Sequence, residues 1–284
     1  MTNRRFRTRV VTGLAVGIGG AVLLARALGT RGNEPDITYP PLDVLKPVAD
    51  DVWIVDSGPI SASGLKLPVR MTVIRLQDGH LLLHSPTRFT PALAKALAAL
   101  GEVRHLVAPS LAHWVFLPEW QGAFPGARTW ATPGLRERAP VRRSGLRVDA
   151  DLGETAPADW SDEITQGVVR GAAGFSETWF FHQSSRTLVL TDLIENLEPE
   201  KLRPATSLLM RAALATKATA ALHVRALLVV HGAAARAAID AMVDLAPERV
   251  IFSHGRWFED DGAACLRDAF AWLPGSGAAS KRRS

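Results

Sequence analysis

The chain has 284 residues, and 47% of them are hydrophobic, which is enough to bury one large core or two modest ones. A single cysteine, Cys265, excludes both an intramolecular disulfide and a cysteine-based metal site. Six arginines precede Glu34 and three basic residues lie at 281–283; removing these nine charges from the net +5 leaves −4 for the body of the chain. Because the basic residues lie in the two ends, we expect no nucleic-acid partner.

Residues 1–31 are predicted to form a basic segment followed by a membrane anchor. Four arginines at positions 4–9 precede Val10–Ala25, which has no charged residue. Extending this helix to Thr30, with Arg26 snorkelling, brings it to the ~30 Å of a bilayer core. The positive-inside rule then puts the arginines in the cytoplasm and the soluble part on the extracytoplasmic side. The alternative is a signal peptide cleaved at Ala25-Arg-Ala27, with the rest exported.

We predict a linker over residues 32–48, and the four prolines of Gly32–Pro47 are also consistent with an extended edge. Apolar and β-branched runs then predict strands, and a Thr-Pro start predicts a helix that ends before Gly101. The predicted strands are Val52–Val55, Met71–Leu76, Leu81–His84, Val103–Ala108 and Arg128–Ala131, and the predicted helices are Pro91–Leu100 and Leu117–Phe124.

The second half of the chain repeats this organisation. Strands are predicted at Ile164–Arg170, Thr178–His182, Thr187–Thr191 and Arg249–Ser253, and helices at Pro199–Leu214, Ala233–Leu245 and Gly262–Trp272. Two halves of paired strands flanked by helices indicate an α/β protein with an αββα sandwich, which we assign to residues 49–275. Residues 276–284 are predicted to be a basic, disordered tail.

The loop after Val103–Ala108 is the predicted centre of the protein. Pro109 and Ser110 end a buried strand, and His113 follows in the loop. In α/β proteins such loops open into a crevice where ligands bind. We therefore expect Ser110, Trp114 and Trp120 to line a pocket there, with covering the edge of the sheet as the alternative for the two tryptophans.

Six stretches carry a resemblance to a known fold: PVRMTVIRL, LLLHSPT, VRHLVAPSLAHWVFLPEW, ATPGLRER, RTLVLTDLIENL and VIFSHG. In these stretches the chain resembles the metallo-β-lactamase fold, and more closely an uncharacterised domain-of-unknown-function family of divergent members of that fold. The resemblance covers Val52 to Trp272, which is nearly all of the soluble part. It implies an αββα sandwich whose metal ligands lie in the loops that follow the strands.

The resemblance also implies that much of the metal site has been lost. Active members carry H-x-H-x-D-H after the strand that ends here at Ala108, and the overlay puts Ser110, Ala112, Trp114 and Val115 at those ligand positions. None of these four side chains is a good zinc ligand, and His113 is out of register by one residue. The next ligand turn, H-T-P-G, is replaced by Gly171-Ala-Ala-Gly174.

Two ligand positions of the family are retained. Asp192 ends the strand TLVLTD, where active members place a metal-bridging aspartate, and His254 in VIFSHG matches their last ligand histidine. His84 lies where active members often have an aspartate that supports the metal ligands from behind.

Three functions follow from this pattern. The first is a membrane-tethered, degenerate domain that needs no metal and binds a small molecule or a protein. The second is a weak hydrolase with one zinc, iron or manganese ion held by His113, Asp192 and His254. The third is a structural protein that positions a partner at the membrane. A serine hydrolase is excluded by the lack of a G-x-S-x-G motif.

Overall fold

Two β-sheets that pack face to face organise the chain in a computed structural model, which describes residues 36–62 and 65–274. The predicted membrane segment 1–31 and the predicted tail 276–284 lie outside the described residues. Within the described part no single helix is long and apolar enough to cross a membrane, although one sharply bent pair of helices, Leu222–Val229 with Gly232–Asp244, satisfies the length and composition criteria jointly.

The first sheet has seven strands in sequential order. They are β1 (Lys46–Ala49), β2 (Val52–Ala62), β3 (Leu65–Arg75), β4 (Leu81–His84), β5 (Val103–Ala108), β6 (Arg128–Ala131) and β7 (Ala150–Asp151). The pairs from β1 to β4 are antiparallel, and those from β4 to β7 are parallel. Residues 46–48, at the end of the segment predicted to be a linker or an extended edge, therefore belong to β1, the edge strand of this sheet.

The second sheet has four strands in the order β12-β10-β9-β8. They are β8 (Ile164–Arg170), β9 (Ser176–His182), β10 (Thr187–Val189) and β12 (Arg249–Ile251). Two short strands, β11 (Glu195–Asn196) and β13 (His254–Gly255), pair in parallel beside it. Because β10 and β12 are parallel neighbours, the loops that follow them leave the sheet at the same edge.

The described part of the chain contains seven α-helices, which cover the outer faces. They are α1 (Pro91–Ala98), α2 (Leu117–Ala123), α3 (Ala139–Ser144), α4 (Pro204–Ala212), α5 (Leu222–Val229), α6 (Gly232–Asp244) and α7 (Gly262–Ala269). The α/β class predicted from the sequence is confirmed. The predicted helix Pro199–Leu214 is interrupted: a 3₁₀ turn, Pro199–Lys201, precedes α4, because a proline at 204 can begin a helix but not continue one. Helices α3 and α5 have no counterpart among the elements predicted from the sequence.

The burial of alternate residues shows how the layers are built. In β4, Leu81 and Leu83 join the core under α1 and α2, whereas Leu82 joins the core between the sheets. In β9, Phe181 faces the core under α5–α7, and Phe180 faces the opposite sheet. Strands with both faces buried explain why these segments are almost continuously apolar.

Candidate metal centre

Three loops from different parts of the chain meet at one edge of the sandwich. His113 lies in the turns that follow β5, Asp192 follows β10, and His254 lies in β13, just after β12. Strand β5 belongs to the first sheet, while β10 and β12 belong to the second. The site is therefore assembled between the two sheets, at the carboxyl ends of their strands.

Asp192 is the centre of this group. Its Oδ1 lies 3.0 Å from Nε2 of His113 and 3.3 Å from Nε2 of His254. Its Oδ2 accepts a hydrogen bond of 2.9 Å from Oγ of Ser110. One ligand atom from each of His113, Asp192 and His254 lies within 4.8 Å of the others. The structure thus brings together the three residues that the sequence suggested as ligands.

Each histidine is held through its other ring nitrogen. Nδ1 of His254 donates to the main-chain oxygen of Pro68 at 2.8 Å, and Nδ1 of His113 lies 2.6 Å from Oγ of Ser85. A carbonyl oxygen only accepts, so Nδ1 of His254 carries a hydrogen and Nε2 is the nitrogen that can bind a metal. Metal-binding histidines are held by oxygen atoms in the same way.

The charges of the three residues depend on one another. Burial alone would raise the pKa of Asp192, but the charge and hydrogen bond of His113 and the hydrogen bond from His254 outweigh it and hold that pKa well below its usual range. Burial would lower the pKa of His254, but the hydrogen bond and charge of Asp192 raise it. Without a metal, Asp192 and His254 therefore each stabilise the charged form of the other.

Glu177 in β9 holds the loop that carries Asp192. It has no exposed surface, and its carboxyl oxygens accept hydrogen bonds from the main-chain N–H groups of Thr191 (2.7 Å) and Asp192 (2.8 Å). Burial, reinforced by the charge of Asp192, raises the pKa of Glu177 to about 8. The backbone of Glu177 also pairs with that of Ser110, so one residue contacts two of the loops that form the site.

A buried ion pair anchors the segment that carries His254. The guanidinium of Arg70 donates to the main-chain oxygens of Phe252 (2.7 Å) and Gly255 (2.9 Å) and lies 2.7 Å from the Asp56 carboxylate. Gly255 has a φ of 96°, and a Cβ there would lie 2.0 Å from the main-chain oxygen of Asn196. Strand β3 and a glycine together therefore fix the position of His254.

The donor set fits a single divalent metal ion. Two imidazole nitrogens and one carboxylate suit zinc, iron or manganese, and three protein ligands leave positions open for water or a substrate. Both histidines already direct Nε2 toward the Asp192 carboxylate. No fourth histidine, cysteine or acidic residue of the described part joins this cluster, so a second metal would lack the ligands that it needs.

The other predicted site residues have different surroundings. His84 is buried, packs edge-on against Phe180 at 5.1 Å between ring centroids, and leaves Nε2 without a hydrogen-bond partner in the described part of the chain. Burial, followed by the charge of His113, lowers the pKa of His84 to about 3. Ser110 and Trp114 line the cavity described below.

The prediction for Trp120 is wrong. Its side chain has no exposed surface, stacks on Phe124 in the core under α2, and donates from Nε1 to the main-chain oxygen of Thr87. The helix α2 turns this face inward, because Leu117 and Trp120 are spaced three residues apart on its buried side.

A cavity of about 580 Å³ opens from the site. His113, Asp192 and His254 lie in its wall, with Ser85, Ser110 and Glu195 also contributing polar atoms. Most of the wall is apolar and includes Ile60, Leu67, Val69, Met210, Val224 and Leu227. The volume falls within the ~300–1,000 Å³ typical of small-molecule sites.

Sequence reasoning missed Ser85, Glu177 and Arg70. Glu177 and Arg70 are charged residues inside apolar strands, and a charge at such a position is rarely buried unless it is paired. That signal was present in PVRMTV and SETWFF, but the partners of these charges lie far away in the chain and were not predictable.

Comparisons with known proteins agree with this architecture. Residues 49–226 match the sequence profile of a domain of unknown function, DUF4336. No curated protein matches the sequence. The solved structures that resemble it include metallo-β-lactamase FIM-1 from Pseudomonas aeruginosa in its mono-zinc form, with a TM-score of 0.57 and 13% identity, covering 84% of this chain and 96% of that one.

Two further structures give the same result. A metallo-β-lactamase from Hirschia baltica has a TM-score of 0.53 and 13% identity, covering 82% of this chain and 98% of that one. One from Pontibacter korlensis has a TM-score of 0.50 and 12% identity, covering 81% and 98%. At these identities the likeness shows the fold alone.

Proposed function

The chain belongs to the DUF4336 family, a divergent branch of the metallo-β-lactamase fold, and we propose that it is a hydrolase with one divalent metal ion held by His113, Asp192 and His254. The observation that carries this proposal is the convergence of these three ligand atoms, within 4.8 Å of one another, in the wall of an apolar cavity. The mono-zinc form of FIM-1 indicates that this fold accommodates a single zinc ion.

The residues of the site have separate roles in this proposal. A divalent ion would supply a Lewis acid that makes water nucleophilic at neutral pH and polarises the bond under attack. Asp192 stays ionised and balances the charge of the ion, because its pKa is well below the usual range. Ser110 and Ser85 orient Asp192 and His113 through hydrogen bonds.

The reaction is the hydrolysis of a carboxylic acid derivative. The oxygen of water forms a bond to the acyl carbon, the bond to the leaving oxygen, sulfur or nitrogen breaks, and a proton from water passes to the leaving atom. Glu195 lies in the cavity wall, and burial raises its pKa, so its carboxyl group is suited to carry that proton.

An acyl substrate fits the charges better than a phosphoryl substrate. Arg138 is the only lysine or arginine among the described residues that line the cavity, whereas Asp192 and Glu195 contribute acidic groups. A phosphate ester with two negative charges would meet few cations there, and proteins bind such groups with clusters of arginine or lysine.

A metal-free binding domain is the second candidate function. It is favoured by one observation: the Asp192 carboxylate already has protein partners in Ser110, His113 and His254. Such a network satisfies a buried carboxylate without an ion. The two functions differ in metal content, which can be measured directly.

The deciding experiment is metal analysis of the purified full chain after exposure to zinc, iron or manganese. We expect one ion per chain, and we expect Asp192→Ala and His254→Ala to lose it. Asp240→Ala, which changes a half-exposed carboxylate on α6, is the matched control and should retain the ion. A wild-type protein that stays metal-free under all three conditions would contradict the hydrolase and leave the binding domain.

The membrane anchor remains part of the proposal. The uncharged run Val10–Ala25 after four arginines supports an anchored protein with its domain outside the cytoplasm. Cell fractionation and protease accessibility of the full chain test this. An anchored protein would stay with the membranes at its full length, whereas a cleaved signal would release a shorter, soluble chain.

A further inference from the structure

We propose that the cavity receives a linear acyl chain, so that the substrate is an ester or thioester of an aliphatic acid. This inference rests on the proposed hydrolase, because it names the substrate class of the same site. It depends on three features of the cavity: the aliphatic character of its wall, the position of its polar atoms, and the apolar surface at its mouth.

Three segments supply much of the aliphatic part of the wall, and Trp114, Phe116 and Phe175 add aromatic side chains. The far end of the β2–β3 hairpin contributes Ile60 and Leu67, α4 contributes Met210, and α5 contributes Val224 and Leu227. Residues of the hairpin and of α4 also belong to one apolar cluster, so the two segments pack together. Flexible aliphatic side chains, including a methionine, suit a ligand without polar groups along its length.

Alanines make room in this wall. Ala213 and Ala215, which follow α4, and Ala221, which precedes α5, all line the cavity. Small side chains at these positions leave space that leucine or phenylalanine would fill. The resulting volume is about 580 Å³. An ester of a small acid, such as acetic acid, would need much less space.

The polar atoms of the wall are concentrated where the ligands of the proposed metal meet. His113, Asp192 and His254 meet there. Ser85 is hydrogen-bonded to His113, and Ser110 is hydrogen-bonded to Asp192. An ester has the same division, with one polar, reactive group at the end of an apolar chain. Placing the carbonyl at the Asp192 group therefore leaves the chain against the aliphatic wall.

Apolar surface continues outside the cavity. Val115 lines the cavity and is 62% exposed, and the two helices that contribute to the wall also carry exposed leucines, Leu208 on α4 (71%) and Leu222 on α5 (46%). Such side chains near a pocket favour entry of an apolar ligand. The acyl chain has two possible sources, a membrane lipid and a soluble monomeric ester, and the chemistry of the chain is the same in both.

The first experiment measures binding without catalysis. The metal-free full chain is titrated with a fluorescent polyunsaturated fatty acid, which is then displaced by straight-chain alkanoates of increasing length. We expect affinity to rise about fourfold per added methylene until the cavity is full, and then to level off. Affinity that does not depend on chain length would overturn the inference.

Two pairs of variants test the location of the chain. Ala213→Phe fills the cavity, and its control Ala212→Phe changes the neighbouring exposed residue that does not line it. Leu227→Glu puts a charge in the wall, and its control Val229→Glu changes a residue that is 57% exposed. We expect the first member of each pair to weaken binding of the longest alkanoates at least tenfold and the controls to leave it unchanged. Equal effects within both pairs would contradict the inference.

The same variants separate failure of this inference from failure of the proposed function. Metal content should be unchanged in Ala213→Phe and Leu227→Glu, whereas Asp192→Ala should lose the metal and keep alkanoate binding. With the metal-loaded protein, monomeric acyl esters and phosphatidylcholine vesicles are then compared as substrates. Release of fatty acid from either supports the acyl class and identifies its source, and hydrolysis restricted to acetyl esters would overturn it.

Discussion

The carboxylate of Asp192 lies 3.0 Å from Nε2 of His113, although 79 positions separate the two residues in the chain. One residue follows a strand of the first sheet, and the other follows a strand of the second. The contact therefore exists only when both sheets are in place. The candidate metal centre thus depends on the packing of the whole sandwich, and changes some distance from the ligands should affect it.

The hydrogen bond between Ser85 and His113 should control metal affinity. Ser85→Ala removes the oxygen that lies 2.6 Å from Nδ1 of His113 and leaves the imidazole free to rotate. Loss of such a partner typically weakens metal binding by about 10- to 100-fold. Metal titration against a competing chelator measures the change. Ser144→Ala, which affects a serine of α3, is the control, and equal affinities of the two variants would contradict the role of Ser85.

Glu177 should stabilise the loop that carries Asp192. In Glu177→Gln an amide NH₂ replaces one of the oxygens that accept the N–H groups of Thr191 and Asp192, so one buried N–H loses its acceptor. We expect the free energy of unfolding to fall by about 1–3 kcal/mol. Urea denaturation at about pH 9, where the Glu177 carboxyl is ionised, measures it. Glu154→Gln also changes a glutamate that accepts a backbone N–H, that of Val168, but it is 61% exposed, so water can compensate and stability should hardly change.

His84 should make stability depend on pH. Its pKa in the folded protein is about 3, below the ~6.5 of an unfolded chain, so only the unfolded state binds a proton between these values. The contribution of neutral His84 to the free energy of unfolding is therefore fully present above pH 6.5. It is lost as the pH falls toward 3, by up to about 1.4 kcal/mol per pH unit.

The test compares melting temperatures of wild-type protein and His84→Phe across this range in the presence of a chelator. The variant cannot titrate at position 84, so its melting temperature should fall less steeply with acidification. Burial also lowers the pKa of His105, to about 4. His105 is present in both proteins, so both keep part of the dependence of melting temperature on pH. Identical slopes for wild type and His84→Phe would refute the assignment.

The buried pair of Arg70 and Asp56 should be required for stability. Arg70→Met leaves a carboxylate that is 4% exposed without one of its partners and the main-chain oxygens of Phe252 and Gly255 without their donor. Breaking a buried pair typically costs about 3–5 kcal/mol. Chemical denaturation gives the value, and metal affinity should fall as well, since Gly255 adjoins His254.

An exposed pair in the same sheet provides the control for Arg70. Arg75 and Asp51 are 41% and 39% exposed, so Arg75→Met should cost below about 1 kcal/mol. If Arg70→Met cost no more than Arg75→Met, the anchoring of His254 by Arg70 would be wrong.

The strands of both sheets could be predicted from local sequence. Runs such as Leu81–His84 and Thr187–Val189 are apolar on both faces, because each strand has one core on either side. The ligand positions Asp192 and His254 came from the family resemblance, which aligns each of them with a metal ligand that follows a strand. The separation of the 3₁₀ turn at Pro199 from the helix that begins at Pro204 could not be predicted, because both segments have the same spacing of apolar residues.

The position of the His113 side chain and the burial of Trp120 could not be predicted from local sequence. The family overlay put His113 one residue out of register, yet the turns after β5 bring its Nε2 to Asp192. Trp120 was expected in the pocket wall, but α2 directs it into the core. In both cases the loop or helix orientation is set by packing against distant residues.

The sequence by itself determined the α/β class, the order of strands and helices, and the residues that lie at the carboxyl ends of the strands. Those properties depend on the period of apolar residues and on neighbouring turn residues, which are local. Only the tertiary structure decided that His113, Asp192 and His254 meet, that Glu177 and Arg70 hold their loops, and that an aliphatic cavity adjoins them. These contacts join segments up to 185 positions apart, and they form only when the two sheets bury their shared core.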